Sequence, residues 1–163
     1  MQNILINTLM KKIFLAFLIS FGAFAQSTIS LIPKPQSIIQ GKGKFVWNEN
    51  TQIAVSDDNL EAKEVAEQLA LRIKIVTNKP QNVVIGKGSN RILFSKNNQI
   101  EKEGYVLKAT STGVIIEASN PIGHFYGLQT LLQLFPAEVL SSSFQSKIIL
   151  SLPECTIKDQ PRF

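Results

Sequence analysis

The sequence predicts an α+β domain, a mostly antiparallel or mixed β-sheet covered by two helices. Three observations carry that prediction. Short runs rich in Val, Ile, Leu and Phe recur along the chain, bounded by Gly, Pro, Asn and Ser, as strands are. Two longer segments, near residues 60–76 and 121–135, space their apolar residues three and four apart, the period of a helix. The composition, 44% hydrophobic and 18% charged, belongs to a chain that folds around a core. The 163 residues allow one domain.

The first element is a targeting segment, residues 1–25. Lys11 and Lys12 precede the apolar run Ile13-Phe14-Leu15-Ala16-Phe17-Leu18-Ile19, and Ala23-Phe24-Ala25 fits a small-x-small cleavage site before Gln26. About a dozen apolar residues fall short of the ~20 that span a bilayer, so the segment reads as a cleaved signal peptide and leaves no stable membrane span. The product is then exported, to the periplasm or the cell exterior. Cleavage removes two lysines and no acids, lowering the formal charge from +5 to +3. No Lys/Arg run interleaves with aromatics, which gives no footprint for nucleic acid. The domain proper runs over 26–158.

Ile38-Ile39 and Phe45-Val46-Trp47, separated by Gly41-Lys42-Gly43, predict a hairpin in which Trp47 buries a large surface. Gln52-Ile53-Ala54-Val55 is a third strand. Asp57 or Asp58 then caps a helix whose apolar stripe is Leu60, Val65, Leu69, Ile73 and Val76; Glu61, Lys63, Glu64, Glu67, Gln68 and Arg72 form its solvated face. Asn78-Lys79-Pro80 ends it. Val83-Val84-Ile85 and Ile92-Leu93-Phe94 follow as strands joined by the Gly-rich stretch Gly86–Asn90, which reads as a turn; it lacks the spacing of a phosphate loop and no helix follows it. Lys96–Glu103 is a polar loop. Tyr105–Thr110 and Val114–Ala118 alternate with period two across Ser111-Thr112-Gly113, a hairpin.

Asn120 caps the second helix and Pro121 suits its first position. Ile122, Phe125, Tyr126, Leu128, Leu131, Leu132, Leu134 and Phe135 cover most of that helix's circumference, so it must be buried on more than one side. Gly123 and Gly127, four apart, leave one face without side chains, open to close approach by another backbone. A serine-rich loop spans Ala137–Ser146. Lys147–Leu152 and Glu154–Lys158, divided by Pro153, are the last strands. The sum is a set of mostly hairpin-linked strands with two helices.

The residues assemble no catalytic, cofactor-binding or metal-binding constellation, and no residue is expected to serve any of these roles. His124 is the only histidine; at the helix start its neutral ring accepts a capping bond or faces solvent. No HExxH or CxxC occurs, and no serine sits in a G-x-S-x-G turn. Cys155, the only cysteine, lies in the strand-like run Glu154-Cys155-Thr156-Ile157 and reads as a buried, inert thiol. Trp47, Tyr105 and Tyr126 are the large amphipathic aromatics, two of them in core-like patterns.

Six segments, in order, resemble one family. They are Ile32-Pro33-Lys34-Pro35-Gln36; Gly104-Tyr105-x-Leu107; Gly113-Val114-x-Ile116; Ala118-Ser119-Asn120-Pro121-x-Gly123; Phe125-Tyr126-Gly127-Leu128-Gln129-Thr130-Leu131-x-Gln133-Leu134; and Asp159-Gln160-Pro161-Arg162-Phe163. Over residues 29–163 the chain resembles the N-terminal non-catalytic domain of glycoside hydrolase family 20, the β-N-acetylhexosaminidases. The resemblance implies an accessory domain followed by a linker, 159–163, into a catalytic barrel that is the domain's partner. It implies a substrate-assisted hydrolysis of terminal N-acetylhexosamines in which the substrate's acetamido oxygen attacks the anomeric carbon. The Asp-Glu pair that serves that reaction belongs to the barrel, and this sequence has no adjacent Asp-Glu pair, so no catalytic residue carries over. Arg162 falls in the linker motif and is expected to pack or form an ion pair. A free-standing carbohydrate-binding module, or the accessory domain of a glycosidase of O-GlcNAcase or α-glucuronidase type, are the alternatives.

Overall fold

The computed structural model describes residues 28–86 and 88–162; the signal-peptide assignment to residues 1–25 lies outside them, as does Phe163. Seven strands form one mixed sheet: β1 (Ser37–Val46), β2 (Gln52–Val55), β3 (Val83–Ile85), β4 (Arg91–Lys96), β5 (Tyr105–Thr110), β6 (Gly113–Ala118) and β7 (Ser151–Asp159), in the order β1-β7-β5-β6-β4-β2-β3. Helices α1 (Lys63–Thr77) and α2 (Pro121–Leu134) cover one face, which bears out the α+β prediction.

The register explains the core. Ile38, Ile157, Leu107, Ile116, Phe94 and Val55 lie opposite one another from strand to strand and make one row across the sheet. Cys155, Ala109, Val114, Ile92 and Ile53 make a second. Both rows face the helices, and nearly all their side chains are buried. The opposite face carries the Lys108–Glu117 ion pair, 2.9 Å, between partly exposed side chains.

Half the sheet departs from the hairpin expectation. β1, β7, β5 and β6 pair antiparallel, whereas β6, β4, β2 and β3 pair parallel. Only β5–β6 is a hairpin. β2, α1 and β3 form a crossover unit, and β2 then receives β4 on its other edge. Ile53, Ala54 and Val55 are all fully buried, so β2 needs a partner on both edges, and parallel pairing supplies both. The Gly-rich link 86–90 therefore returns past β2 to start β4, and is no hairpin turn. Gly86 takes φ 111°, its N–H donates to Val55, and its carbonyl accepts from Arg91 Nη1 at 2.8 Å.

The predicted hairpin over 38–47 is instead one strand, β1, on the sheet edge. Gln40 pairs with Cys155 and Lys44 with Pro153, so Gly41-Lys42-Gly43 oppose Glu154 alone. The glycines mark this bulge, where a Cβ on Gly41 would lie 2.8 Å from the Glu154 Cβ. Glu154 fixes it: one carboxylate oxygen accepts from Gly43 N–H at 3.0 Å, the other from Ser111 N–H at 2.8 Å. Pro153 sits in the same irregularity, where a missing N–H is tolerated. It does not divide two strands; β7 runs through it, and residues 147–150 precede the strand. Asp159 is the last residue of β7.

α1 buries Val65, Leu69, Ile73 and Val76 as its spacing predicts, each contributing about 1.5–3 kcal/mol. Asn78, at φ 54°, is its left-handed C-cap. Its start differs from the prediction. The chain enters through a 3-10 turn, Leu60–Ala62; Ala62 is the N-cap with no side-chain capping bond, and Asp58 accepts from Ser56 Oγ at 2.6 Å. That turn rotates Leu60 out of the stripe, leaving it 55% exposed. On the polar face Glu61 meets Lys96 at 2.6 Å, and half-buried Arg72 donates to the Ser141 carbonyl. In the serine-rich loop, Ala137–Leu140 form a second 3-10 turn.

Candidate functional site

α2 begins as the sequence dictates. Asn120 Oδ1 accepts from Ile122 N–H at 3.0 Å and Gly123 N–H at 3.1 Å, and Pro121 follows the cap. The two glycines then set how deep the helix lies. A Cβ on Gly123 would run into the Gly104 carbonyl oxygen and sit 2.9 Å from the Ala118 Cβ. One on Gly127 would lie 2.5 Å from Ile116 Cγ2. The helix backbone thus rests directly on β5 and β6, with Leu128, Leu131 and Leu134 beside it.

His124 lies on this inner side and is fully buried, neither capping the helix nor facing solvent. Its Nε2 is 2.8 Å from Asn59 Nδ2, so the ring accepts there and carries its proton on Nδ1. Phe94 meets it edge-on at 5.8 Å. Burial holds its pKa down to about 4; Glu61 pulls it up and Lys96 pushes it down. The sequence identified the histidine and missed Asn59, sixty-five positions away, which no local signal marks.

Tyr105 is also buried. Its hydroxyl is 2.5 Å from Thr130 Oγ1; burial raises its pKa against the lowering effect of that bond, and Asp159 raises it further. Cys155 is buried as expected, and burial pushes its thiol up to about 11, far from a reactive thiolate. No cluster of three or more His, Cys, Asp or Glu side chains suited to a metal ion occurs among the described residues.

The outward side of α2 carries a cluster of exposed apolar side chains. Ile122 is 46% exposed, Phe125 39% and Tyr126 41%. The Phe125 and Tyr126 rings meet edge-on at 6.0 Å. The chain's lead-in segment and its exit flank this face. Gln133 Nε2 donates to the Ile32 carbonyl at 3.1 Å and its Oε1 accepts from Ile32 N–H at 3.0 Å. Arg162 Nη2 donates to the Lys34 carbonyl at 2.6 Å, a backbone clasp between the two segments. Between them a notch of about 420 Å³ is lined by Pro33, Tyr105, Tyr126, Pro161 and Arg162. Of the three amphipathic aromatics, Tyr105 is internal, Tyr126 lies here, and Trp47 lies elsewhere, half-buried against the core and not enclosed.

Residues 28–160 match the family model described as glycosyl hydrolase family 20, domain 2. The chain is 34% identical over 139 residues to a β-hexosaminidase of Porphyromonas gingivalis, covering 83% of this chain and 18% of that protein. A β-hexosaminidase of Vibrio furnissii is 28% identical over 142 residues, covering 84% of this chain and 20% of that one. The chain therefore spans about a fifth of the length of these curated relatives. Among solved structures, the family 20 β-N-acetylhexosaminidase of Streptomyces coelicolor superposes with a TM-score of 0.70 at 32% identity, covering 79% of this chain and 26% of that one. The chain belongs to glycosyl hydrolase family 20, and the part of that family it represents is domain 2, the non-catalytic one.

Proposed function

We propose that this domain is the accessory part of an exported β-N-acetylhexosaminidase, and that the bare face of α2 seats on that enzyme's catalytic barrel. One observation carries the reading. α2 is buried on the sheet by its glycine side, while Ile122, Phe125 and Tyr126 stay in water beside the segment by which the chain leaves the sheet. A contiguous apolar face of this kind marks an interaction surface. Hydrolysis of terminal N-acetylhexosamine is assigned to the barrel's own groups, and none of the side chains here is given a catalytic, cofactor or metal role. Export follows from the Lys11-Lys12 and Ala23-Phe24-Ala25 pattern.

Two measurements test this. The chain alone is expected not to cleave a chromogenic N-acetylglucosaminide; turnover by it would overturn the accessory role. Joined to a family 20 barrel, it is expected to raise the barrel's thermal midpoint. Replacing Ile122 and Phe125 by Glu is expected to abolish that gain while leaving the domain itself folded, because both side chains are substantially exposed. An undiminished gain in the double variant would place the contact elsewhere.

A further inference from the structure

At the opposite end of the sheet lies a second cleft, of about 580 Å³. It opens where β1 ends and β7 begins. β7 is nine residues long, so at ~3.3 Å per residue the cleft is roughly 25 Å from the exit segment.

Backbone hydrogen bonds tie the walls of the cleft together. Trp47 N–H donates to the Leu150 carbonyl at 2.8 Å, and Gln145 N–H to the Val76 carbonyl at 2.8 Å, which ties the facing loop to the end of α1. Two aromatic rings line it: half-buried Trp47, whose indole packs on the core, and Phe144, which is 55% exposed. Gln81, Ser146 and Glu49 line it as well, and their side chains make no hydrogen bond to other described residues. Its charged lining is one acid, Glu49, and one base, Lys79. The volume is in the range of small-ligand sites.

That lining narrows the ligand. A balanced charge gives no hold on a polyanion. Aromatic faces beside unspent amide, hydroxyl and carboxylate groups suit a neutral molecule that alternates apolar C–H faces with hydroxyls. We infer that this cleft is a binding subsite for a neutral oligosaccharide. Trp47 and Phe144 would be the ring platforms, and Gln81, Ser146 and Glu49 the hydroxyl partners. The choice of N-acetylhexosamine oligomers as the sugar rests on the proposed function. The subsite would hold a stretch of glycan away from the barrel where its end is cut.

Trp47 is the only tryptophan in the sequence, so its emission reports on this cleft alone. The full chain is titrated with N-acetylglucosamine tri- to pentamers. A saturable emission change is expected, half-complete at about 1 mM or below. Phe144→Ala is expected to weaken binding about fivefold with an unchanged far-UV spectrum. Gln81→Ala, on the cleft wall outside the core, is the second variant and is also expected to weaken it. The proposal is overturned by the absence of a saturable change, by equal affinity in both variants, or by an equal response to a neutral pentapeptide. An undiminished thermal gain in the Ile122/Phe125 double variant with the titration intact would overturn the docking face and leave the subsite standing. A flat titration with docking intact would remove the subsite alone.

Discussion

Gly123 and Gly127 are where the fold is least tolerant of a single added carbon. In a solvent-facing helix, Gly→Ala stabilises by about 1 kcal/mol. Here the added Cβ at position 123 meets backbone, the Gly104 carbonyl oxygen, which has no rotamer by which to retreat, and the Ala118 Cβ at 2.9 Å. At position 127 it meets Ile116 Cγ2 at 2.5 Å, and Ile116 is fully buried in the central row of the core. Relief requires α2 to lift from β5 and β6, which loosens the packing of Leu128 and Leu131. Overpacking of this kind costs about 1–3 kcal/mol with side-chain neighbours, and the rigid carbonyl puts Gly123 at the upper end. Net of helix propensity, Gly123→Ala is expected to destabilise by about 2 kcal/mol and Gly127→Ala by about 1 kcal/mol. For a domain of this size the larger loss lowers the thermal midpoint by roughly 5–10 °C. Urea denaturation of the two variants and wild type, with exposed Gln129→Ala as a propensity control, gives the numbers. If Gly123→Ala matches the control by gaining stability, α2 does not lie on β5 as described.

The remaining predictions concern the polar groups that α2 carries. His124 titrates at 6.5 when unfolded and at about 4 when folded. Above pH 6.5 both states are neutral and stability is indifferent to it; between 6.5 and 4 only the unfolded state binds the proton, so stability falls by about 1.4 kcal/mol per pH unit, roughly 3 kcal/mol in all. Protonation would also turn Nε2 into a donor facing the Asn59 amide N–H. The difference in urea stability between wild type and His124→Gln from pH 7.5 to 4 isolates this slope, and a flat difference would refute it. Asn120→Ala removes the acceptor of two helix-end N–H groups and is expected to cost about 1 kcal/mol, with Asn120→Asp restoring it; equal stability of all three would show that the cap is dispensable.

What the sequence made legible was whatever local chemistry dictates. The β5–β6 hairpin, the Asn120-Pro121 helix start, the α1 stripe from Val65 to Val76 and the Asn78 stop each rest on residues a few positions apart. What it concealed depends on distant partners. Gly41 and Gly43 look like turn glycines until Glu154, more than a hundred positions later, is set against them. Gly86–Asn90 looks like a hairpin link until β2 is known to lie between β3 and β4. Pro153 looks like a strand break until the bulge opposite it is seen. The site was half legible: the two-sided apolarity of 121–135 was plain, but which residues turned inward required the register of β5 and β6 beneath them.

That division of faces on α2 departs from an ordinary surface helix. A helix covering a sheet normally puts its largest side chains on the sheet and small or charged ones in water, as α1 does with Leu69 and Ile73 against Glu64 and Glu67. α2 also buries Leu128, Leu131 and Leu134, but it rests its backbone on the sheet through Gly123 and Gly127 and keeps Ile122, Phe125 and Tyr126 outside, with no acidic residue in its first turn and no basic residue in its last. Selection for the stability of the lone domain would favour polar residues at those outward positions, since exposing apolar surface brings no folding energy and invites association. Their retention makes sense if α2 is a middle layer, pressed onto its own sheet through its glycines and buried leucines and onto a second body by its exposed rings. On that view the glycines and the exposed rings are one design. The closer the helix backbone lies to β5 and β6, the more of its bulk is left to offer a partner, and Gly123→Ala would then weaken barrel docking as well as folding by displacing the platform from which Phe125 and Tyr126 project.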